Sequence, residues 1–302
     1  MEKEHEIEDS RMSKLKIKNM SKARSIKQII PARMYNMGDI KVRQPLPSSE
    51  LEYLDPFVLL HHADLTFDEN LDLNKAGVGP HPHKGFAPVT FLFKGGSHHR
   101  DSRGNNAKVM EGGTQWMHAG MGIVHSERPV GNEQELIQMW INSPAKHKSD
   151  QPYYHPLTKE QTPSYISDDK KITVNIITGE LFGVKGPIPT LSPINSATIY
   201  SKAGGKLFIS LPKSHNTFLY LLDGVLKVDG KEITGKNFIA FNNDADGIEV
   251  EAIEDTRCLL MSGEPIGEEI VAQGPFVMNT ETEIMKAYSD YRMGKMGILI
   301  ED

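Results

Sequence analysis

Two short segments carry side chains able to bind a metal ion: His81-Pro82-His83 and, 42 residues after His83, His125-Ser126-Glu127. In each, two donors are separated by one residue. On a β-strand, residues i and i+2 leave from the same face, so two such strands side by side deliver four donors to one point. A lone His-x-His is more often an ordinary polar strand face. The second pair repeats the geometry and adds a carboxylate that offsets the charge of a divalent ion, which makes metal binding the stronger reading. Three neutral imidazoles and one carboxylate would leave such an ion one net positive charge and, for an ion accepting five or six ligands, one or two open positions. That argues for reactivity. A structural zinc site would be closed and usually thiolate-rich, whereas Cys258 is the only cysteine. Iron fits the donor types best; nickel, copper, manganese or zinc could occupy the same set.

The elements that must position these donors read as strands. Runs rich in Val, Ile, Phe and Tyr recur between clusters of Gly, Pro, Asn and Asp, the pattern of an all-β sandwich or barrel. Val89–Phe93 ends at Lys94-Gly95-Gly96, and Leu136–Ile141 ends at Asn142-Ser143-Pro144. Eleven of the 26 glycines lie between Gly77 and Gly131, which suits strands that bend sharply around a cavity. Pro82 removes a backbone donor between the two histidines, which places that pair near a barrel mouth and not mid-sheet. The Pro-rich segment from Gln151 to Asp169 reads as a connector between two lobes. Beyond it, Asp223-Gly224 and Asp229-Gly230 punctuate residues 218 to 233 and predict consecutive antiparallel strands. That half contains one histidine, His215, with no carboxylate at strand spacing. Thr280 and Glu283 form a capping-box pattern ahead of Ile284, Ala287, Tyr288 and Tyr291, predicting one terminal helix that ends near Gly294.

At 302 residues the chain can hold two lobes of about 150 residues each. Apolar content of 38% and charged content of 25% are ordinary for a globular protein, and no apolar run is long enough for a membrane helix. The net charge of −6 opposes direct nucleic-acid binding. Ser10 to Gly38 runs against this balance, with eight Lys or Arg and no acid, and reads as an unpacked, solvated arm. A lone cysteine in an apolar strand forms no intrachain disulfide and points to a cytoplasmic protein.

The motifs Pro80-His81-Pro82-His83-Lys84-Gly85-Phe86, Glu111-Gly112-Gly113-Thr114-Gln115-Trp116-Met117 and Ala119-Gly120-Met121-Gly122-Ile123-Val124-His125-Ser126-Glu127 resemble the signature of the pirin family. The likeness extends from Leu54-Asp55-Pro56-Phe57 to Gly274-Pro275-Phe276-Val277-Met278-Asn279. It implies two cupin-type β-barrel (jelly-roll) lobes with a short C-terminal helix. The expected organisation is a polar arm over residues 1–23, a metal-bearing lobe over 24–165 and a lobe without metal over 166–302. It also implies an Fe(2+)-type site on His81, His83, His125 and Glu127. The activity implied is cleavage of a flavonol such as quercetin by a 2,3-dioxygenase, with an aromatic small molecule and dioxygen as partners and Glu127 as ligand and proton acceptor. The alternative is a non-catalytic iron-binding regulator that modulates a transcription factor or metabolic enzyme as a protein partner. A zinc-dependent sugar-phosphate isomerase fits less well, because no basic cluster adjoins the ligands. Two departures from the family pattern stand out. Ala87 replaces a usual glutamate, and His118, a donor behind the ligands or, as the preferred reading, a surface imidazole, replaces a smaller polar residue. Phe86, Phe91, Gln115, Trp116 and Met117 are candidates to line a pocket.

Overall fold

The computed structural model describes residues 22–301; the polar arm expected before residue 22 lies outside them. The architecture is all-β, two-lobed, with one short α-helix near the C-terminus. The first lobe is a nine-stranded antiparallel sheet of β2 (Arg33–Met37), β3 (Ile40–Leu46), β4 (Phe57–Thr66), β5 (Val78–His83), β6 (Phe86–Asp101), β7 (Asn106–Met110), β8 (Thr114–His118), β9 (Ile123–Asn142) and β10 (Tyr153–Leu157). Its main path runs β10-β8-β6-β9-β4-β3-β2, with β5 on β9 and β7 on β6. β10, inside the predicted connector, caps one edge, where Pro156 costs no central ladder bond. Pro82 lies on β5, which pairs only with β9.

The two long strands β6 and β9 dominate the lobe, and their alternation changes along their length. From Phe86 to Phe93 the odd residues Ala87, Val89, Phe91 and Phe93 enter the core between the lobes. Register shifts between Leu92 and Gly96 then turn the strand over, so that Ser97 reaches the cavity side. Gly95 makes this possible. It sits at φ +69°, and a Cβ there would lie 2.0 Å from the Glu133 carbonyl oxygen.

The second lobe packs a seven-stranded sheet, begun by β1 (Ile26–Pro31), against a four-stranded one. The strand Asn216–Asp223 is apolar on both faces. Phe218, Tyr220 and Leu222 meet the first lobe, while Leu219 and Leu221 fill the second lobe's own core with Leu226, Val228, Ile248 and Val250. The Phe57 and Phe218 rings meet edge-on, centroids 5.1 Å apart, and burial of each contributes about 1.5–3 kcal/mol.

Three expectations need correction. The basic stretch is packed from Arg24 onward: β1 pairs with Asn237–Phe241, and the fully buried Arg24 guanidinium donates to the carbonyls of Pro212, His215 and Ala245 and to Thr217 Oγ1. Such a dense set of acceptors lets a charge leave water. Asp223-Gly224 is a corner that carries the chain between sheets. Only Asp229-Gly230 closes a hairpin, joining Val225–Val228 to Lys231–Thr234. A two-residue turn signal does not say whether the flanking strands pair with each other or with other neighbours. Finally, the terminal helix α1 (Glu281–Arg292) has the predicted Thr280–Glu283 capping box, but Tyr291 is exposed. Its buried face, Ile284 and Ala287, packs with Phe276, Met278 and Met296 against Val124 of β9.

The chain therefore returns to the first lobe at its end. Lys148 fixes this return: its buried ammonium donates to the Gly85 and Val277 carbonyls (each 2.8 Å) and to Asn142 Oδ1 (2.6 Å). Burial lowers its pKa to about 8. Lys148→Met removes every donor from that cluster and is expected to destabilise by about 2–4 kcal/mol in urea unfolding, with a loss below about 1 kcal/mol contradicting the assignment. Among the described residues, no helix is long and apolar enough to cross a membrane.

Candidate metal centre

His81 and His125 are direct cross-strand partners of β5 and β9, which puts them on one face of the antiparallel pair, and His83 follows at i+2. One donor nitrogen from each of the three imidazoles lies within 4.8 Å of the others. The rings meet at 4.3 Å (His81 and His125), 4.8 Å (His81 and His83) and 5.0 Å (His83 and His125) between centroids.

The proton positions follow from the neighbours. His81 Nδ1–H donates to the Gly79 carbonyl (2.8 Å) and His83 Nδ1–H to the Pro275 carbonyl (3.2 Å), so a lone pair remains on each Nε2. Those two Nε2 atoms are only 3.1 Å apart. Two facing lone pairs at that distance repel unless a cation lies between them. Nitrogens about 2.1 Å from one ion at a right angle are about 3 Å apart, against about 3.4 Å for a tetrahedral angle. His125 Nε2 is buried with no hydrogen-bond partner. The donor set thus fits a transition metal. Burial pushes the pKa of His83 and His125 well below the usual imidazole range and that of His81 down less, so all three are neutral ligands at pH 7.

Glu127 stands beside this triad without joining its compact nitrogen cluster. Its Oε1 accepts from Thr90 Oγ1 (3.0 Å) and its Oε2 from Gln138 Nε2 (2.7 Å); Gln138 Oε1 in turn accepts from Trp140 Nε1 (3.1 Å). The carboxylate is therefore aimed by a chain of donors on β6 and β9.

His81, His83 and Glu127 line a cavity of about 710 Å³, walled by Leu59, Ala63, Leu136 and Trp140, with Gln44, His61 and Gln138 as polar points. That volume suits a small organic molecule. None of the five residues proposed from sequence as pocket lining faces it. Phe91 and Trp116 lie in the interlobe core, Met117 packs with Ala119 and Ile123, Gln115 donates to the Ser97 carbonyl, and Phe86 props His83 and Trp140 from behind. Adjacency in sequence was the wrong guide, because strand alternation sends neighbours to opposite faces. Ala87 likewise faces the interlobe core, so a carboxylate there would not meet the triad. His118 is buried, not superficial: its Nε2 donates to the His147 carbonyl, and Ser143 Oγ lies 3.4 Å from its Nδ1.

His61 has its Nε2–H fixed on Gln44 Oε1 (2.7 Å), and burial lowers its pKa to about 4. The unfolded chain takes up this proton near pH 6.5, the folded one only near 4, so stability falls as pH drops between those values. About 3 kcal/mol of pH-dependent stability is expected from this residue. Urea midpoints from pH 7.5 to 4.5 should fall less steeply in His61→Asn than in the wild type; parallel curves would refute the assignment.

Sequence comparisons agree with this construction. The Pirin family model matches residues 39–141 and that of the Pirin C-terminal cupin domain matches residues 197–297. A pirin-like protein from Solanum lycopersicum is 35% identical over 92% of this chain and 94% of its own length. Pirin from Homo sapiens is 34% identical over 85% and 88%. The crystal structure of a quercetin 2,3-dioxygenase from Acinetobacter baumannii superposes with a TM-score of 0.86 at 31% identity, covering 92% of this chain and all of that one. With a two-lobed all-β fold and relatives matched over nearly its whole length, the chain belongs to the pirin family.

Proposed function

We propose that this protein is a metal-dependent dioxygenase of the quercetin 2,3-dioxygenase type, acting on a planar polyhydroxylated aromatic such as a flavonol. The observation that carries the reading is the meeting of three neutral imidazoles and an oriented carboxylate in an apolar cavity large enough for such a molecule. His81, His83, His125 and Glu127 would hold the ion, with Fe(2+) favoured and Ni, Cu, Mn or Zn admissible. When bound, the ion supplies Lewis acidity and coordination positions open to substrate and dioxygen. The residues around it do the rest. Glu127, held in place by its donors Thr90 and Gln138, is placed to take the proton of a substrate hydroxyl. Trp140, Leu136 and Leu59 offer flat apolar contact and exclude water from the reacting face.

On the same reading the metal belongs to the lobe of residues 24–165, and residues 166–302 serve as a scaffold whose one histidine, His215, is held against Ser262 Oγ (3.2 Å). The buried Cys258 thiol, its pKa pushed up to about 12, suits a cytoplasmic protein.

Iron-loaded protein mixed with quercetin in air should bleach the flavonol and consume one dioxygen per molecule. Glu127→Gln should retain the cavity and lower turnover by about 10²–10⁴-fold. Metal-loaded wild type that binds the flavonol without oxygen uptake would reject the catalytic reading in favour of the regulator.

A further inference from the structure

We propose that His99 and Asp101 are positioning residues that fix the proton of His125 on Nδ1 and thereby set how tightly, and at what reduction potential, His125 holds an ion. The inference rests on the metal reading above. Both residues come from the part of β6 beyond the turned-over register, where Asp101 is the cross-strand partner of His125 and His99 that of Glu127. His99 meets His125 at Nδ1, and His125 Nε2 is left without a partner.

The direction of each hydrogen bond follows by elimination. The Asp101 carboxylate is buried and takes donors on both oxygens: Oδ1 accepts from the backbone N–H of Arg103 (2.9 Å) and Asn105 (3.1 Å), and Oδ2 from Asn105 Nδ2 (2.8 Å). With three N–H donors already converging on its two oxygens, the group acts as an acceptor. His99 Nε2, 2.9 Å from the same Oδ2, must therefore be the donor. With one N–H on this ring, as proposed, His99 Nδ1 is left as an acceptor. Facing it at 3.4 Å is His125 Nδ1, which then donates. The proton of His125 is thereby kept on Nδ1, and the lone pair stands on Nε2, which has no other partner. Tyr154 of β10 lies flat on His99, centroids 3.9 Å apart and planes within 5°, so the His99 ring is held in that orientation.

The three imidazoles are consequently not equivalent. His81 and His83 donate to neutral carbonyls, whereas His125 is linked through a second imidazole to a full negative charge. A partner of that kind raises ligand basicity and favours the more highly charged state of a bound ion. All three groups of the relay are nearly excluded from water, so solvent cannot substitute for a missing member.

The test has two arms. In metal-free wild type, long-range ¹H–¹⁵N correlation spectra should show His99 protonated on Nε2 and His125 on Nδ1; the proton on His125 Nε2 would overturn the proposal. Asp101→Asn and His99→Gln, checked for folding by circular dichroism, should bind Ni(II) about 10–100-fold more weakly than wild type. The iron-loaded variants should have a more positive Fe(III)/Fe(II) potential, because removing the negative charge destabilises the ferric state more. Folded variants with unchanged affinity and unchanged potential would overturn it. If a variant does not fold, the wild-type spectra decide. Wild type that takes up no ion although its tautomers are as stated would overturn the metal reading and the affinity claim together, which separates the two failures.

Discussion

His125→Ala is expected to give a folded protein that no longer retains a metal ion and no longer consumes oxygen with quercetin. The substitution removes the buried, unpartnered Nε2 together with the Nδ1 contact to His99 and leaves a small cavity, so the metal-free fold should lose about 1–3 kcal/mol and remain folded. Metal affinity is the sensitive quantity. Loss of a direct donor should weaken binding by more than the 10–100-fold typical of outer-shell partners. Wild type should gain stability on metal addition, about 4 kcal/mol at a thousandfold excess over Kd, whereas a variant weakened more than about 100-fold should gain less than about 1.4 kcal/mol at the same concentration. Thermal melts with and without Ni(II) or Fe(II) read this directly. A variant stabilised by metal as strongly as wild type would remove His125 from the site.

Gly85→Ala should be the most damaging small substitution near the centre. Gly85 has φ +87°, and a Cβ there would stand 2.0 Å from the Val277 carbonyl oxygen and 2.7 Å from Met278 Sδ. Left-handed strain and forced repacking together should cost about 3–5 kcal/mol in urea unfolding. The damage should also reach the metal. Gly85 donates to the Gly120 carbonyl and gives its own carbonyl to Lys148, and the segment it would displace carries Pro275, the acceptor that orients His83. Metal affinity should therefore fall even under conditions where the variant is still folded. A cost below about 1 kcal/mol would show that the close approach of the two segments is not required.

What could be read in the sequence was local. The i, i+2 spacing of His81 with His83 and of His125 with Glu127 needs only strand alternation, and it put three imidazoles on one side of a two-stranded ladder. The capping box at Thr280 and the hairpin at Asp229-Gly230 are likewise set within a few residues. What could not be read depends on distant pairing. His99 and Asp101 carry the same i, i+2 signal as the ligands, but only the register shifts around Gly95 show that they share a sheet face with His125. The His83 carbonyl partner comes from a residue 192 positions away. Whether Asp223-Gly224 turns a hairpin or a corner is decided by the apolar character of both faces of Asn216–Asp223, which finds better partners in other strands. His118 is buried for the same reason, since distant strands cover both faces of Thr114–His118.

The most direct measurement is X-ray absorption at the metal edge on protein purified without chelators, paired with its metal content. One ion per chain, surrounded at about 2.1 Å by three imidazole nitrogens and a carboxylate oxygen, with the imidazole signature reduced in His125→Ala, is the predicted result. Protein that carries no ion and takes none up, or an ion whose environment is unchanged by that substitution, would contradict the account.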